Sequence, residues 1–121
     1  MADSISNFED LVVWRESQNL AVEVYTLLRL FPKEEVFGLI SQTKRAVSSV
    51  SANIAEGFGR KTSKDKLQFY TIAYGSLLET KNFLYLGEKL QYISSAQLEK
   101  TLGQVVSCQK LLNAFMRPLK P

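Results

Sequence analysis

The chain has 121 residues and a mass of 13.7 kDa, with 45% hydrophobic and 22% charged residues, which is typical of one globular domain over residues 1–121 and excludes a disordered chain. The formal net charge of +3 is compatible with a nucleic-acid partner without demanding one. A single Cys, no signal sequence and no apolar run near about 18 residues predict a cytoplasmic protein without an internal disulfide or a membrane partner.

The first predicted helix spans about 9–31, where apolar residues recur at spacings of three and four. Asn7 or Ser6 is expected to cap its N-terminus. Pro32 is expected to end it, because the residue before a proline is pushed out of the helical region.

The second helix is predicted over about 34–58, where apolar residues follow a heptad pattern from Val36 to Phe58. Gly57 and Gly59 are expected to stop it, because glycine adopts the left-handed conformation at a helix end without steric cost.

The third helix is predicted over about 63–91, with Thr62 and Asp65 forming a capping box. Apolar residues occupy two of its faces, which is more than a four-helix monomer needs, and we interpret the excess as a subunit interface. The alternative is a central helix that contacts two neighbours inside the monomer. The second of these faces consists of Phe69, Ile72, Ser76, Glu79, Phe83, Leu86 and Leu90.

The fourth helix is predicted over about 95–118, with Ser94 and Gln97 as a capping box and Pro118 at its end. No segment shows the alternation of a β-strand. The short connections place consecutive helices side by side, so the sequence predicts an all-α, up-down-up-down antiparallel four-helix bundle.

A basic cluster lies at the turn before the third helix. Cations beside the free amides of a helix N-terminus suit an anion, so this cluster is our candidate nucleic-acid-binding site. The alternatives are a solvated turn that binds nothing, and a second basic set on the fourth helix that consists of Lys110, Arg117 and Lys120. The cluster itself consists of Arg60, Lys61, Lys64 and Lys66.

The residues that carry most enzyme chemistry are missing or isolated. There is no His to act as a general base, to bind zinc or to activate Cys108, which we interpret as a small core residue. Antiparallel pairing about a turn near residue 61 separates Glu56 and Glu79 by several turns, so they cannot share a proton. The sequence therefore predicts no enzyme, no metal site and no cofactor.

Two segments carry a resemblance to a known family. Ser51–Gly57, followed by Phe69–Glu79, resembles a family of four-helix bundle proteins. Members of this family are encoded within 23S ribosomal RNA intervening sequences in some bacteria, and many others are free-standing. The resemblance covers nearly the whole chain and includes Phe8–Leu11 with Trp14, Phe31–Pro32, and Phe37–Leu39 with Gln42. It implies an all-α bundle, often a five-subunit ring with a basic surface, and transfers no catalytic residue.

The resemblance also implies partners. A related branch of the family serves as the accessory protein of diversity-generating retroelements, where it works with a reverse transcriptase and binds nucleic acid. We therefore expect a homo-oligomer, with a pentamer favoured, and a reverse transcriptase as partner if one is encoded nearby.

The motif residues are interpreted as structural. Asn53 is expected to be half buried, Gly75 to allow a close approach opposite Val47, and Glu79 to pair with Arg45 or Gln42. The full set is Asn53, Glu56, Gly57, Gly75, Ser76 and Glu79.

Two functions compete on this evidence. The first is an oligomeric, non-enzymatic accessory protein that binds RNA or another nucleic acid electrostatically. The second is a structural or protein-interaction module that binds no nucleic acid. Repetition of the charge around a ring favours the first, whereas the acidic first third of the chain favours the second.

Overall fold

The computed structural model describes residues 5–121, so residues 1–4 of the predicted domain lie outside the described residues. Consecutive helices pack against each other and the fourth returns to the first, which confirms the predicted all-α four-helix bundle. The helices are α1 (Val12–Leu28), α2 (Leu39–Phe58), α3 (Ser63–Lys89) and α4 (Ser95–Met116), and short 3-10 turns cover Phe8–Asp10, Lys33–Glu35 and Arg117–Leu119.

The core follows the apolar periodicity of the sequence. In α2 the heptad positions Val47, Val50 and Ile54 are fully buried. The largest fully buried side chain is Tyr70 of α3, whose ring centroid lies 4.8 Å from that of Phe115 in α4. Burial of this kind stabilises each helix by excluding its apolar stripe from water.

Helix α1 is shorter at both ends than the predicted range of 9–31. Asn7 precedes the 3-10 turn Phe8–Asp10 but forms no side-chain capping bond, so a cap by Asn7 was wrong. At the other end the helix gives way to 3-10 bonds before Pro32, and the Phe31 ring fills the space that a side chain at Gly87 would need. The helix thus ends before Phe31, whose ring lies beside Gly87 of α3.

Helix α2 begins at Leu39 rather than near residue 34. The Glu35 carboxylate accepts the Leu39 N–H at 3.1 Å and the Tyr92 hydroxyl at 2.9 Å. Glu35, which the predicted range of 34–58 placed inside the helix, therefore lies before it and acts as its cap. Residues 36–38 form a turn between the cap and the helix.

The prediction that a left-handed glycine ends α2 was wrong. Gly57 lies inside the helix, and Gly59 has a right-handed φ of −77°. The Lys66 ammonium donates to the Phe58 carbonyl oxygen at 2.7 Å, which satisfies one of the acceptors that a helix C-terminus leaves free.

Helices α3 and α4 begin where the sequence predicts. Thr62 Oγ1 accepts the Asp65 N–H, but within residues 5–121 the Asp65 carboxylate accepts no bond from the Thr62 N–H, so the predicted capping box is only half formed. Ser94 and Gln97 form a complete capping box. Helix α3 ends at Lys89, slightly before the predicted residue 91, because Gln91 adopts a left-handed φ of 65°. Helix α4 ends at Met116 and continues as the 3-10 turn that contains Pro118.

Candidate nucleic-acid interface

The fold brings the two basic sets to the same end of the bundle. The turn between α2 and α3 lies there, and the C-terminus of α4 packs beside the first turns of α3, as the Tyr70–Phe115 ring contact and the contacts of Arg117–Leu119 with α3 show. We call this end the basic end. It contains the turn cluster together with two residues of the second set, namely Arg60, Lys61, Lys64, Lys66, Arg117 and Lys120.

Two members of the turn cluster make contacts within the chain. Arg60 Nη2 lies 3.4 Å from the Glu56 carboxylate, and the Arg60 guanidinium lies 4.5 Å from the centroid of the Phe69 ring. The Lys66 ammonium caps α2 at Phe58 and lies 5.2 Å from the Phe58 ring. The positive charges of Arg60 and Lys66 therefore already have partners within the chain before any ligand binds.

The other basic side chains of this end face water. Lys61, Lys64, Arg117 and Lys120 are exposed, and among residues 5–121 none of the four forms an ion pair. Lys110 is exposed on α4, two helical turns, or about 10 Å, before Arg117. A phosphate backbone crossing this end would meet cations from the start of α3 and from the segment that follows α4.

A polar seam joins α2 to α3 at the motif residues. Asn53 is half buried, and its amide donates to the Ser49 carbonyl at 2.8 Å and to the Ser49 hydroxyl at 2.9 Å. Ser76 Oγ lies 3.0 Å from Ser49 Oγ. The partners of Asn53 thus come from its own helix, and Ser76 connects this group to α3.

The register of this seam differs from the one assumed in the sequence analysis. A turn centred near residue 61 would place Ala46 opposite Ser76, whereas Ser49 occupies that position. Glu79 still meets Arg45, at 2.7 Å, and Arg45 also donates to Gln42 at 3.2 Å.

The two motif glycines have opposite surroundings. A Cβ at Gly57 would lie 2.6 Å from Cε1 of Tyr70 and 2.9 Å from Cβ of Phe69, so this glycine permits close contact between α2 and α3. A Cβ at Gly75 would meet no described atom within 4 Å outside its own helical turn. The predicted close approach at Gly75 opposite Val47 was therefore wrong within the monomer.

The ionisable core residues are held in their neutral forms. Burial raises the pKa of the Cys108 thiol to about 11, although the neighbouring Ser17 hydroxyl opposes part of that rise. Burial also raises the pKa of Tyr70 to about 12. Within residues 5–121 no three His, Cys, Asp or Glu side chains gather as metal ligands would.

The periodicity analysis missed an apolar groove between α1 and α2. This α1–α2 groove has a volume of about 510 Å³. The Phe8 and Trp14 rings pack edge to face with their centroids 5.2 Å apart, and the small side chains of α2 are what opens the space beside them. Its lining consists of Phe8, Trp14, Gln18, Ala21, Val22, Tyr25, Thr26, Arg29, Ser48, Ser51, Ala52 and Ala55.

One side of α3 exposes apolar side chains to water. This side overlaps in part with the second apolar face that the sequence analysis predicted. Of the predicted face, Ile72, Leu86 and Leu90 are exposed, whereas Ser76 is buried and Phe83 is half buried. Leu78 and Tyr85, which the sequence analysis did not include, are exposed beside them. We call this side the α3 ridge, and it consists of Ile72, Gly75, Leu78, Glu79, Asn82, Tyr85, Leu86 and Leu90.

The periodicity analysis also missed the exposure of Phe37. Its side chain is 96% exposed at the tip of the turn before α2. The two hydrogen bonds of Glu35 brace that turn, which holds the aromatic ring in water. The sequence analysis placed Phe37 inside the helix predicted over 34–58, so only the structure shows that it lies in an exposed turn.

Comparisons with known proteins agree with this architecture. Residues 9–114 match the model of the family described as 23S rRNA-intervening sequence protein. The chain belongs to this family. The residues that carried the resemblance in the sequence lie on the seam between α2 and α3, where Asn53, Ser76 and Glu79 form the contacts described above.

Among solved structures, the chain is similar to a protein of unknown function from the S23 ribosomal protein family of Bacteroides thetaiotaomicron. The two share 27% identity with a TM-score of 0.76, over 87% of this chain and 98% of the other. A search of curated proteins gave no match. None of the helices in residues 5–121 is long and apolar enough to cross a membrane.

Proposed function

We propose that this chain is a non-enzymatic, cytoplasmic accessory protein that forms a homo-oligomer, with five copies favoured, and binds RNA electrostatically through its basic end. The observation that carries the proposal is the meeting of the two basic sets at that end. Binding of this kind depends on phosphate neutralisation and needs no base-specific contact.

The charge of the assembly supports this proposal. One copy has a formal net charge of only +3, but a closed ring repeats each basic end around its axis. A circle of cations attracts a polyanion more strongly than one isolated copy does. The exposed apolar α3 ridge supports the self-association on which this repetition depends.

The chemistry of the interior supports a non-enzymatic role. The sequence contains no His, and the raised pKa of Cys108 keeps its thiol protonated at neutral pH. Thiolates rather than thiols are nucleophiles, so this cysteine is not activated. Glu56 and Glu79 are each paired with a different arginine.

Binding to a single-stranded RNA oligonucleotide of mixed sequence, measured across a salt series, tests the proposal. We expect Lys61→Gln with Lys64→Gln, and separately Arg117→Gln with Lys120→Gln, to weaken binding and to lower the salt slope by about 0.7 for each phosphate that the variant no longer neutralises. Lys33→Gln with Lys89→Gln is the matched control, because it removes the same charge from exposed positions at the opposite end.

Two outcomes would contradict RNA binding at the basic end. If the control loses as much RNA affinity as the basic-end variants do, binding depends on the net charge of the protein and not on this surface. No binding by the unmodified protein at low salt would favour a structural or protein-interaction module, for which the α3 ridge and the α1–α2 groove are the supporting observations.

A reverse transcriptase is the proposed protein partner if one is encoded beside this gene. The flanking genes test that part of the proposal directly. A neighbouring reverse transcriptase would support the retroelement role, and a split 23S ribosomal RNA gene would support the intervening-sequence role.

A further inference from the structure

A second cavity adjoins the α1–α2 groove at the end of the bundle opposite the basic end. Its volume is about 330 Å³, and Tyr25 and Arg29 line both cavities, so the two meet at these side chains. Cavities of about 300–1,000 Å³ are typical of small-molecule sites. We call the second cavity the cationic pocket, and its lining includes Tyr25, Arg29, Phe31, Lys33, Ile40 and Lys44.

Three cations surround the cationic pocket without an acidic partner. Arg29 follows α1, Lys33 lies in the 3-10 turn before α2, and Lys44 lies on α2. All three are exposed, and within residues 5–121 none of them forms an ion pair. Arg29 lies one helical turn after Tyr25, and the Lys44 ammonium lies 5.0 Å from the centroid of the Tyr25 ring. Cations from both helices therefore meet at the junction of the two cavities.

The acidic residues of this region do not neutralise these cations. The Glu35 carboxylate accepts two hydrogen bonds from groups outside the pocket, and the Glu23 carboxylate lies 3.5 Å from the Lys100 ammonium of α4. Glu34 is exposed but lines neither cavity, and the linings of both cavities contain no Asp or Glu. The pocket thus keeps a local excess of positive charge in the acidic first third of the chain.

The polar side chains in the middle of the α1–α2 groove already have partners. Gln18 Nε2 donates to Ser51 Oγ at 2.9 Å. The hydroxyls of Thr26 and Ser48 each donate to a carbonyl oxygen of their own helix. A ligand lying along the groove would therefore meet mostly apolar surface before it reaches the cations at the junction.

We propose that the α1–α2 groove and the cationic pocket together bind a small amphiphilic anion. Its apolar or aromatic body would lie along the groove, and its carboxylate, sulfonate or phosphate group would contact Arg29 and Lys44 at the junction. Burial of the body removes apolar surface from water, and the anion offsets charges that have no partner in the chain. This site is separate from the basic end and does not depend on the proposed RNA binding.

A pair of fluorescent probes tests the two parts of this site. Anilinonaphthalene sulfonate has an aromatic body with one anionic group, and phenylnaphthylamine has the same aromatic body without the sulfonate. We expect the unmodified protein to bind the sulfonate more tightly than the neutral probe. Added salt should reduce this preference, because ions screen the attraction between exposed charges.

Arg29→Gln with Lys44→Gln removes the two cations at the junction. We expect it to weaken binding of the sulfonate by about fivefold for each cation, which corresponds to about 1 kcal/mol for an exposed ion pair, and to leave the affinity for the neutral probe unchanged. Lys89→Gln with Lys110→Gln is the matched control, because it removes the same charge from exposed positions that line neither cavity.

Ala52→Phe tests the groove itself. Ala52 is an exposed lining residue, so a larger side chain there should fill the groove and weaken binding of both probes. Circular dichroism checks that each variant is helical, and the single changes Arg29→Gln and Lys44→Gln replace the double variant if it unfolds.

Four results would overturn this inference. The first is that the unmodified protein binds neither probe, or binds both equally. The second is that the control loses as much affinity for the sulfonate as the junction variant does, and the third is that Ala52→Phe binds both probes normally. The fourth is that the RNA oligonucleotide displaces the sulfonate, which would place the probe at the basic end. The first three leave RNA binding untouched, because RNA binding is measured without either probe.

Discussion

Arg45 of α2 and Glu79 of α3 form an ion pair across the outer edge of the seam, with 2.7 Å between Nη2 and Oε2. The two side chains are 59% and 39% exposed, so water screens their attraction. The pair therefore links the helices at their surface and is not a buried charge cluster.

We expect Glu79→Ala to lower the free energy of unfolding by less than about 1 kcal/mol, because exposed ion pairs contribute little. Urea denaturation of the variant and of Arg45→Ala measures this, and the double variant gives the coupling between the two groups. A decrease of about 3–5 kcal/mol would show that the pair behaves as a buried one.

Gly57→Ala should destabilise the protein although alanine is the better helix former. The added methyl group would overlap the buried Tyr70 ring and Cβ of Phe69, and overpacking of this kind costs about 1–3 kcal/mol. Gly103→Ala is the control, because its Cβ would meet no described atom within 4 Å beyond its own turn. That variant should gain about 1 kcal/mol in thermal or urea unfolding. Equal effects at the two sites would contradict the tight contact at Gly57.

Glu35→Ala should destabilise the start of α2. It removes the acceptor of the Leu39 N–H, a hydrogen bond with a net value of about 0.5–1.5 kcal/mol, and also the partner of the Tyr92 hydroxyl. Glu34→Ala removes the neighbouring exposed acid and should change stability by less than about 0.5 kcal/mol. Hydrogen exchange of the amides around Leu39 locates the effect, and unchanged protection in Glu35→Ala would contradict the brace.

Stability should fall at alkaline pH, and Cys108 should cause the first part of that fall. The folded pKa of its thiol is about 11, against an ordinary value of 9.0, so the unfolded chain ionises first and is favoured as the pH rises. The contribution is complete below pH 9 and is lost towards pH 11, with a slope of up to about 1.4 kcal/mol for each pH unit.

Urea denaturation between pH 8 and pH 12 tests this linkage. Cys108→Ala should flatten the curve between the ordinary and raised values of the thiol, and Tyr70→Phe should flatten it between pH 10 and about pH 12. The same slope in the unmodified protein and in Cys108→Ala would show that the thiol does not contribute.

Part of the candidate site could be predicted from the sequence. Charge density alone identified the turn cluster and the set on α4, and it left them as competing sites. The antiparallel order of the helices places the C-terminus of α4 at the end where α3 begins, and the packing of Phe115 against Tyr70, 45 positions apart, holds the two helices together there. The internal contacts of Arg60 and Lys66 were invisible in the sequence, because they depend on the geometry of the turn.

The sequence by itself determined the four helices and their buried faces, because periodicity and caps such as Thr62 and Ser94 act within a few residues of the chain. Only the tertiary structure decided the register of α3 on α2 and the open space beside Gly75. Register depends on how side chains from distant segments fit together, and an antiparallel helix pair can slide by three or four residues with its apolar stripes still in contact. The contacts of Gly57 with Phe69 and Tyr70 select one of these positions, and that choice determines which residues remain exposed for a partner.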